Sequence, residues 1–482
     1  MNRLPSSLQR VLIGAGRIAT PMHWCLLNTF PNPLFDGYRL ILVEPATRRV
    51  FAGRRRFAWR LPRISIPRWS RAAEQIQIMI ERRWGFKAIV IDVLEDEPAR
   101  EAIAIAELRG LSESDPMRGL GSWVNFRDLS ESEIDGAGRS IVERLLNGGT
   151  TSRGAFSRFG WIEEALDWIS VEADIDRAQF TRDIKQFNAA AGSALVRFGR
   201  SSASPIWFKA VEELSASEYR MTTTLFQLLP EYLPRVIATR EDWNAWWMED
   251  AGAPLSSVQS PGLFGEAVSR LAGIQKAGMN SIPYLLASGC GDQRLPVLRA
   301  SISPMMDLIG DAMARQDCGF APRLTSARIR ELEAILTEAC LSMESLGIPD
   351  TLLHGDISFE NILVGPHGCV FTDWADAAVG NPVVTFEQLR AQIEQENDAC
   401  VWRPMLTEIY IGSWLEVLSR SQVECALALV PPIAAMTYLF DRWKRFGSEH
   451  QSDPKFQSYI RGLARQMDRA ACDVESRRTR CA

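Results

Sequence analysis

Apolar and polar positions predict strands in the first part of the chain and mainly helices in the second. Residues 38–55 predict two strands joined by a turn at Glu44–Thr47. Residues 70–86 place apolar side chains at helical spacing and end near a glycine, which favours a helix. Residues 86–94 then predict a buried strand. The N-terminal part is therefore expected to be an α/β domain.

A Gly/Ser/Thr/Arg-rich segment at 148–154 has the composition of a linker, and the pattern beyond it predicts first a hairpin and then mainly helices. In order, it predicts a hairpin at 194–200 and 205–211, a helix at 215–229, a short apolar run at 245–250, helices within 262–346, and helices again after 385. This order predicts a small β-rich lobe, a connector and a large helical lobe.

Composition narrows the class of protein. A chain of 482 residues exceeds one hydrophobic core, so several domains are expected. A net charge of -5 gives no reason to expect nucleic acid as a partner. We find no secretory leader and no apolar run long enough to span a membrane, and nine scattered cysteines indicate reduced thiols. We therefore expect a cytoplasmic protein that contacts neither nucleic acid nor membrane.

The segment TLLHGDISFENILVGPHGCVFTDWADAAVGNP, residues 351–382, has the spacing that phosphoryl transfer requires. Asp356 is followed by Asn361 and, twelve residues later, by Asp373. Two short apolar runs with a glycine turn between them predict a hairpin that brings Asn361 and Asp373 to one end. One carboxylate can accept a proton from an attacking hydroxyl, while a second carboxylate and an amide oxygen can hold Mg²⁺ on phosphates.

The sequence HGDISFENILV…FTDWADA resembles the HGDxxxxN…DW motif pair of the aminoglycoside phosphotransferase/choline-kinase-like family. The resemblance covers roughly residues 190–385 and implies a bilobal protein-kinase-like fold. It implies Asp356 as the catalytic base, Asn361 and Asp373 as Mg²⁺ ligands, and His354 as the residue that positions the loop. ATP and Mg²⁺ would be the cofactors, and a hydroxyl of a small molecule would be the acceptor.

The smaller lobe contains candidate nucleotide ligands. Lys209 lies in the middle of a predicted strand, where an ammonium group needs an anionic partner. Glu218 in the next predicted helix is the nearest suitable acid. The resemblance implies that Lys209 contacts phosphates and is held by Glu218. The alternatives are a solvent-facing lysine and a helix-dipole partner. The resemblance also implies that the connector Met248, Glu249, Asp250 meets the adenine.

One position departs from the family pattern. After Gly380-Asn381-Pro382 the family has an Asp that supports the catalytic loop, and this chain has Thr385. The rigidity of the loop is therefore in question. Asp376 is open to two interpretations, an auxiliary metal ligand or a solvated turn residue. Residues 383–482 contain 13 acidic and 13 basic residues, so no acidic excess points to a polycationic antibiotic as substrate.

The first 150 residues give conflicting signals. RVLIGAGRIA at 10–19 matches a dinucleotide-binding fingerprint, with Glu44 as the ribose ligand, but Pro31 and Pro33 leave little room for its helix. The order of elements in 38–130 instead resembles a Nudix fold. The predicted helix at 70–86 is aligned with the helix of the Nudix motif on Gly85. Arg82 and Arg83 then fall where the metal-binding acids of that motif belong. That resemblance implies a catalytically inactive module.

These observations predict an α+β chain with a separate N-terminal domain. The expected segments are an extension at 1–36, a Nudix-like domain at 37–147, a linker at 148–158, a kinase-like N-lobe at 159–250 and a helical C-lobe at 251–482. The function indicated is a small-molecule kinase that phosphorylates a metabolite, sugar, amino alcohol or antibiotic. The alternatives are a non-catalytic pseudokinase or scaffold, and a nucleotide-binding function of the N-terminal domain.

Overall fold

A computed structural model defines the fold. It describes residues 35–55, 58–68, 70–94, 101–110, 121–149, 154–190, 192–258, 260–316, 322–393, 399–446 and 453–481. The chain is mixed α+β, as predicted, and divides into two compact units. The first unit comprises residues 31–219 and 236–250, and the second comprises residues 220–235 and 251–482, with residues 1–30 outside the described part.

The first unit begins with a mixed sheet. Its elements are β1 (Phe35–Val43), β2 (Val50–Arg55), β3 (Ala58–Arg60), β4 (Arg63–Pro67), α1 (Ala72–Trp84), β5 (Lys87–Leu94), β6 (Ala102–Arg109), β7 (Ser122–Val124) and α2 (Gly136–Leu146). The strand order is β3-β2-β1-β6-β5, with β4 on β1 and β7 on β2. β1 and β6 run parallel, and the other pairs are antiparallel.

A second, antiparallel sheet completes this unit. Its elements are α3 (Trp161–Glu172), β8 (Phe180–Ala189), β9 (Ala194–Arg200), β10 (Ile206–Ala210), α4 (Ala216–Leu228), β11 (Val236–Arg240) and β12 (Ala245–Glu249). The order is β11-β12-β10-β9-β8. Only the start of α4, as far as Tyr219, belongs to this unit. The predicted hairpin at 194–211 and the predicted helix at 215–229 agree with β9, β10 and α4.

The two sheets of the first unit share a hydrophobic core. Neighbouring residues of β1 point to opposite faces, so Leu40 packs with α1 while Ile41 packs in the core that also contains Phe208 and Trp247 of the second sheet. The side chain of Gln186 on β8 fills the bulge in β5. Its amide accepts from Val90 N and donates to Val90 O, both at 2.8 Å.

The second unit is largely helical. Its elements are β13 (Ala253–Pro254), α5 (Pro261–Gly278), α6 (Ile282–Ala287), β14 (Gly291–Gln293), α7 (Leu295–Ala300), α8 (Ile302–Ala314), α9 (Ser326–Ser345), β15 (Thr351–Leu353), β16 (Ile362–Gly365), β17 (Gly368–Phe371), β18 (Ala378–Gly380), α10 (Val383–Ile393), α11 (Ala399–Trp414), α12 (Arg420–Phe446) and α13 (Pro454–Cys481). Its strands form two small sheets, β13-β16-β17 and β14-β18-β15.

Helix α10 is buried in this unit and is held by two other helices. Every residue from Val383 to Arg390 is buried. The Phe386 ring stacks on the Tyr410 ring of α11, with centroids 4.0 Å apart. The Gln388 side chain donates to the hydroxyl of Thr437 on α12 at 3.2 Å. Helix α10 is therefore a rigid support for whatever contacts it.

One stretch of α12, residues 420–444, is long and apolar enough to span a membrane by composition alone. Within it, 67% of the most apolar 18-residue window is buried inside the protein, which is the burial of a core helix. Its buried side chains include Val430, Ile433 and Leu439, which join the core of the second unit.

Candidate active site

In the first unit an ion pair joins β10 to α4. The Lys209 ammonium contacts the Glu218 carboxylate, and the two side chains are 13% and 5% exposed. Lys209 lies between Leu195 of β9 and Trp246 of β12, and its Nζ is 5.7 Å from the Trp246 ring centroid. The ion pair is therefore mostly buried against the sheet. The alternative interpretation of the sequence, a lysine that faces solvent, does not describe this arrangement.

The predicted connector residues follow at the end of β12. Met248 is buried with Trp246 and Val211 on the same face of the sheet as Lys209. Glu249 is exposed. The Asp250 carboxylate accepts from Arg197 Nε at 3.5 Å. Met248 therefore shares the Lys209 face, whereas Glu249 points to solvent and Asp250 is engaged by an arginine.

In the second unit a tight turn after β15 presents the candidate base. Gly355 has φ +76°, and a Cβ there would lie 1.9 Å from the Asp376 carbonyl oxygen, so only glycine fits this turn. Asp356 follows at once. The Asn361 amide Nδ2 donates to the Asp356 carbonyl oxygen at 2.9 Å, which closes the loop between the base and the next strand.

The hairpin β16–β17 places the two candidate metal ligands at one end, as the spacing predicted. Ile362 pairs with Phe371, and Thr372 N donates to Asn361 O at 3.0 Å. Asp373 comes next and has φ +68°, a left-handed conformation that is uncommon for residues other than glycine. Such strain is frequent where a side chain is aimed for function.

His354 is buried beneath this loop. Its Nε2 lies 2.9 Å from the Thr372 carbonyl oxygen, and because a carbonyl only accepts, Nε2 carries the proton. The ring packs on Trp374 at a centroid distance of 4.5 Å. Burial lowers the pKa of His354 to about 4. His354 is therefore neutral near pH 7 and ties the catalytic loop to the end of β17.

Thr385 contacts the catalytic loop although it is not the expected aspartate. Its hydroxyl oxygen accepts from His354 N at 3.4 Å, and the residue is fully buried on α10. Farther along α10, Gln392 Nε2 donates to the Ile357 carbonyl oxygen at 2.5 Å. The loop is thus supported by neutral groups where the resemblance led us to expect a carboxylate.

Sequence reasoning missed a polar cluster from α12 and α13 around Asp356. The charge of Asp356 adds to the effect of burial in raising the pKa values of Tyr438, Asp441 and Tyr459. For Asp441 burial is the largest cause, and its pKa rises to about 7. Its Oδ1 accepts from Gln293 Nε2 at 2.8 Å. Two phenol groups and one carboxyl group therefore feel the charge of Asp356, while Arg442 lowers the pKa values of Asp441 and Tyr459.

The donor set at the hairpin suits a magnesium ion. Because the Asn361 Nδ2 is committed to Asp356 O, Oδ1 is the amide atom left to coordinate. With the carboxylate of Asp373 it supplies the hard oxygen ligands that Mg²⁺ prefers. Within the described ranges, no three His, Cys, Asp or Glu side chains cluster as a metal site. The fit therefore depends on this two-residue set, with phosphate oxygens and water as the remaining ligands.

The candidate functional residues of the N-terminal region form no site in the described residues. The dinucleotide fingerprint at 10–19 lies outside the described residues, and Glu44 accepts from the Thr47 hydroxyl in the β1–β2 turn. Arg82 and Arg83 are exposed at the end of α1, where Gly85 adopts the left-handed conformation. Arg83 donates to Arg63 O at 2.7 Å. The carboxylate of this last turn, Glu81, forms an ion pair with Lys87.

Comparisons with known proteins give only distant likenesses. No protein-family model matches the chain, and no curated protein matches it. Among solved structures it is similar to a choline kinase from Cryptosporidium parvum Iowa II, at 12% identity and a TM-score of 0.44, covering 65% of this chain and 99% of the other. An ethanolamine kinase from Plasmodium vivax gives 12% identity and a TM-score of 0.44, covering 68% and 94%.

A macrolide 2'-phosphotransferase from Brachybacterium faecium gives 14% identity and a TM-score of 0.41, covering 62% of this chain and 98% of the other. These neighbours are small-molecule kinases by name. Their TM-scores are below 0.5, so the likeness assigns no function to this chain.

Proposed function

We propose that the chain is an ATP- and Mg²⁺-dependent phosphotransferase that phosphorylates a hydroxyl group of a small molecule. The observation that carries the proposal is the closed catalytic loop. Asn361 binds the backbone of Asp356 through its amide nitrogen, and the hairpin places Asp373 beside the same turn. A base, an amide oxygen and a second carboxylate are thereby held on one short stretch of the second unit, as phosphoryl transfer requires.

Each residue has a chemical role in this proposal. The Asp356 carboxylate accepts the proton of the acceptor hydroxyl, whose oxygen attacks the γ-phosphorus while the bond to the β-phosphate oxygen breaks and ADP leaves. Asn361 Oδ1 and the Asp373 carboxylate would hold Mg²⁺, which neutralises charge on the phosphates. His354 is neutral and orients the loop, and it does not exchange protons with the acceptor.

The ion pair in the first unit supports the nucleotide part of the proposal. A lysine that is mostly buried and oriented by a glutamate is the arrangement that holds α- and β-phosphates in kinase-like folds. Met248 on the same face supplies an apolar surface for the adenine, and Glu249 and Asp250 supply the connector.

The acceptor is a small molecule with a polar substituent. The charge of Asp356 acts on Tyr438, Asp441 and Tyr459, whose hydroxyl and carboxyl groups can form hydrogen bonds with the polar substituent of an acceptor. A sugar, an amino alcohol, another metabolite or an antibiotic all present such groups.

We propose that the N-terminal region, residues 37–147, is a Nudix-like module without hydrolase activity. The support is the exposed Arg82 and Arg83 at the positions of the metal-binding acids, since guanidinium groups cannot ligate Mg²⁺. The full-length protein should leave nucleoside diphosphate derivatives intact in the presence of Mg²⁺ or Mn²⁺. Robust hydrolysis that survives Asp356→Asn would contradict this assignment.

Calorimetry with a non-hydrolysable ATP analogue tests the nucleotide site without knowledge of the acceptor. Binding should require Mg²⁺ and weaken at least about tenfold in Lys209→Ala and in Asp373→Ala, because each removes a charge-assisted contact with the triphosphate. Lys276→Ala, which breaks an exposed ion pair with Glu416, is the matched control. Unchanged affinity in both site variants would favour a non-catalytic scaffold, and NAD binding would favour the N-terminal fingerprint.

A further inference from the structure

Two side chains of helix α10 contact the backbone immediately before and after the proposed base. The Thr385 hydroxyl accepts from the amide of His354, two residues before Asp356. The Gln392 amide donates to the carbonyl of Ile357, one residue after it. Neither contact touches the Asp356 side chain, so both act on the path of the main chain around it.

The spacing of these two residues fits this task. Positions seven apart on an α-helix lie on nearly the same face, about 10 Å apart along the axis. The turn from His354 to Ile357 meets α10 at both of its ends, at Thr385 and at Gln392. Helix α10 can therefore contact both ends of the turn at once without bending.

The chemistry of the two contacts is also complementary. Thr385 satisfies a backbone donor and Gln392 satisfies a backbone acceptor, so two different groups of the turn are paired with side chains. Asn361 satisfies a third group, the carbonyl of Asp356. The Phe386–Tyr410 stack and the Gln388–Thr437 hydrogen bond hold α10 against α11 and α12, so the two contacts on the loop start from a fixed support.

We propose that Thr385 and Gln392 are positioning residues that clamp the backbone on both sides of Asp356. Together they give the catalytic loop the support that a single aspartate at position 385 was expected to give. The proposal rests on the phosphotransferase function for its kinetic consequences. Its structural content, a loop held by two neutral hydrogen bonds from one helix, does not depend on that function. Loss of either contact lets the base drift from the attacking hydroxyl, and a small displacement is enough to slow transfer.

The test combines hydrogen exchange with kinetics in the full-length protein. Thr385→Val and Gln392→Glu keep the side-chain shape but remove the acceptor at His354 N and the donor to Ile357 O. Amide exchange of the loop at 354–361 should speed up at least about tenfold in each variant, as expected when a native hydrogen bond is lost. Thr385→Ser keeps the hydroxyl and should restore protection. Thr407→Val, which removes a hydroxyl that donates to Arg403 O within α11, should leave the loop unchanged.

In phosphoryl transfer each clamp variant should lower kcat about tenfold while the KM for ATP stays within about twofold, and the double variant should lose about a hundredfold. A purely structural role would instead lower the fraction of folded protein and leave kcat per folded molecule unchanged. Unchanged exchange at the loop overturns the clamp. If the wild-type protein transfers phosphate to no acceptor, the proposed function fails, and the exchange experiment still decides the clamp.

Discussion

The ion pair between Lys209 and Glu218 leads to a prediction about stability whose size follows from its burial. Lys209→Met keeps the length of the side chain but leaves the Glu218 carboxylate, 5% exposed, without its ammonium partner. Breaking a buried pair by removal of one member costs about 3–5 kcal/mol. The Glu218 carboxyl can reduce this cost by taking up a proton. For a glutamate with an ordinary pKa, protonation near pH 7 costs about 4 kcal/mol. The loss should therefore be about 3–4 kcal/mol at pH 7.

The same argument predicts how the loss changes with pH. Once Glu218 in the variant is protonated, each lower pH unit makes the protonation cheaper by about 1.4 kcal/mol, so the loss should shrink to near zero around pH 4–5. Lys209→Met combined with Glu218→Gln should recover much of the stability at pH 7, because no charge is left buried. The double variant should still fail to bind nucleotide, which separates the role of Lys209 in folding from its role in binding.

Urea unfolding followed by tryptophan fluorescence, repeated from pH 5 to pH 8, measures these quantities. The exposed pair Lys276–Glu416 is the control, and Lys276→Met should produce no measurable loss at any pH. A loss from Lys209→Met below about 1 kcal/mol that is independent of pH would refute the reasoning, since it would place Glu218 in contact with water.

Two further predictions concern the second unit. Gly355→Ala should abolish most phosphoryl transfer and lower stability, because its Cβ would overlap the Asp376 carbonyl at 1.9 Å. Gly347→Ala, also at positive φ but with open space around it, should cost only about 1 kcal/mol in urea unfolding, and equal effects of the two variants would contradict the turn geometry. Burial raises the pKa of Asp441 from 3.8 to about 7, so the folded state holds a proton that the unfolded state has lost between these values. This stabilisation is present below pH 3.8 and is lost as the pH rises through 7. Asp441→Asn should therefore gain stability relative to wild type as the pH is raised from 5 to 8. A stability difference that stays constant over this range would mean that Asp441 is solvated.

The sequence predicted the local elements and the spacing of the loop residues, because both depend on nearby positions. The hairpin at Asn361 and Asp373 follows from two short apolar runs and a glycine turn, and the helix that contains Glu218 follows from its periodicity. The contact of Lys209 with Glu218 was within reach because only nine residues separate them. Such short-range relations depend on the residue pattern of one stretch of chain.

Long-range contacts were not predictable in the same way. Asp441 is 85 residues from Asp356 in the sequence and lies in a helix whose pattern indicates only a buried face. The contact of Gln392 with Ile357 depends on how α10 packs, which no local pattern determines. Thr385 illustrates the limit most clearly. The sequence showed that a carboxylate was missing, but only the structure shows that a hydroxyl occupies the position beside His354 N.

The domain organisation also depends on long-range packing. The segment 148–154 has the composition of a linker, yet the sheets on either side of it share one hydrophobic core that includes Ile41 and Phe208. Gln186 further joins the second sheet to β5 of the first. Composition reports the flexibility of a segment in isolation and does not report which surfaces the flanking elements bury.

The central claim is that Asp356 deprotonates a small-molecule hydroxyl for attack on ATP. The most direct measurement is a phosphoryl-transfer screen of a metabolite library with ATP and Mg²⁺, read by mass spectrometry of the products and repeated with Asp356→Asn. We predict a phosphorylated product with the wild-type protein and a rate about 10²–10⁴-fold lower with the variant, while its fold and its affinity for the ATP analogue are retained. Near wild-type turnover by Asp356→Asn on a validated acceptor would contradict the account.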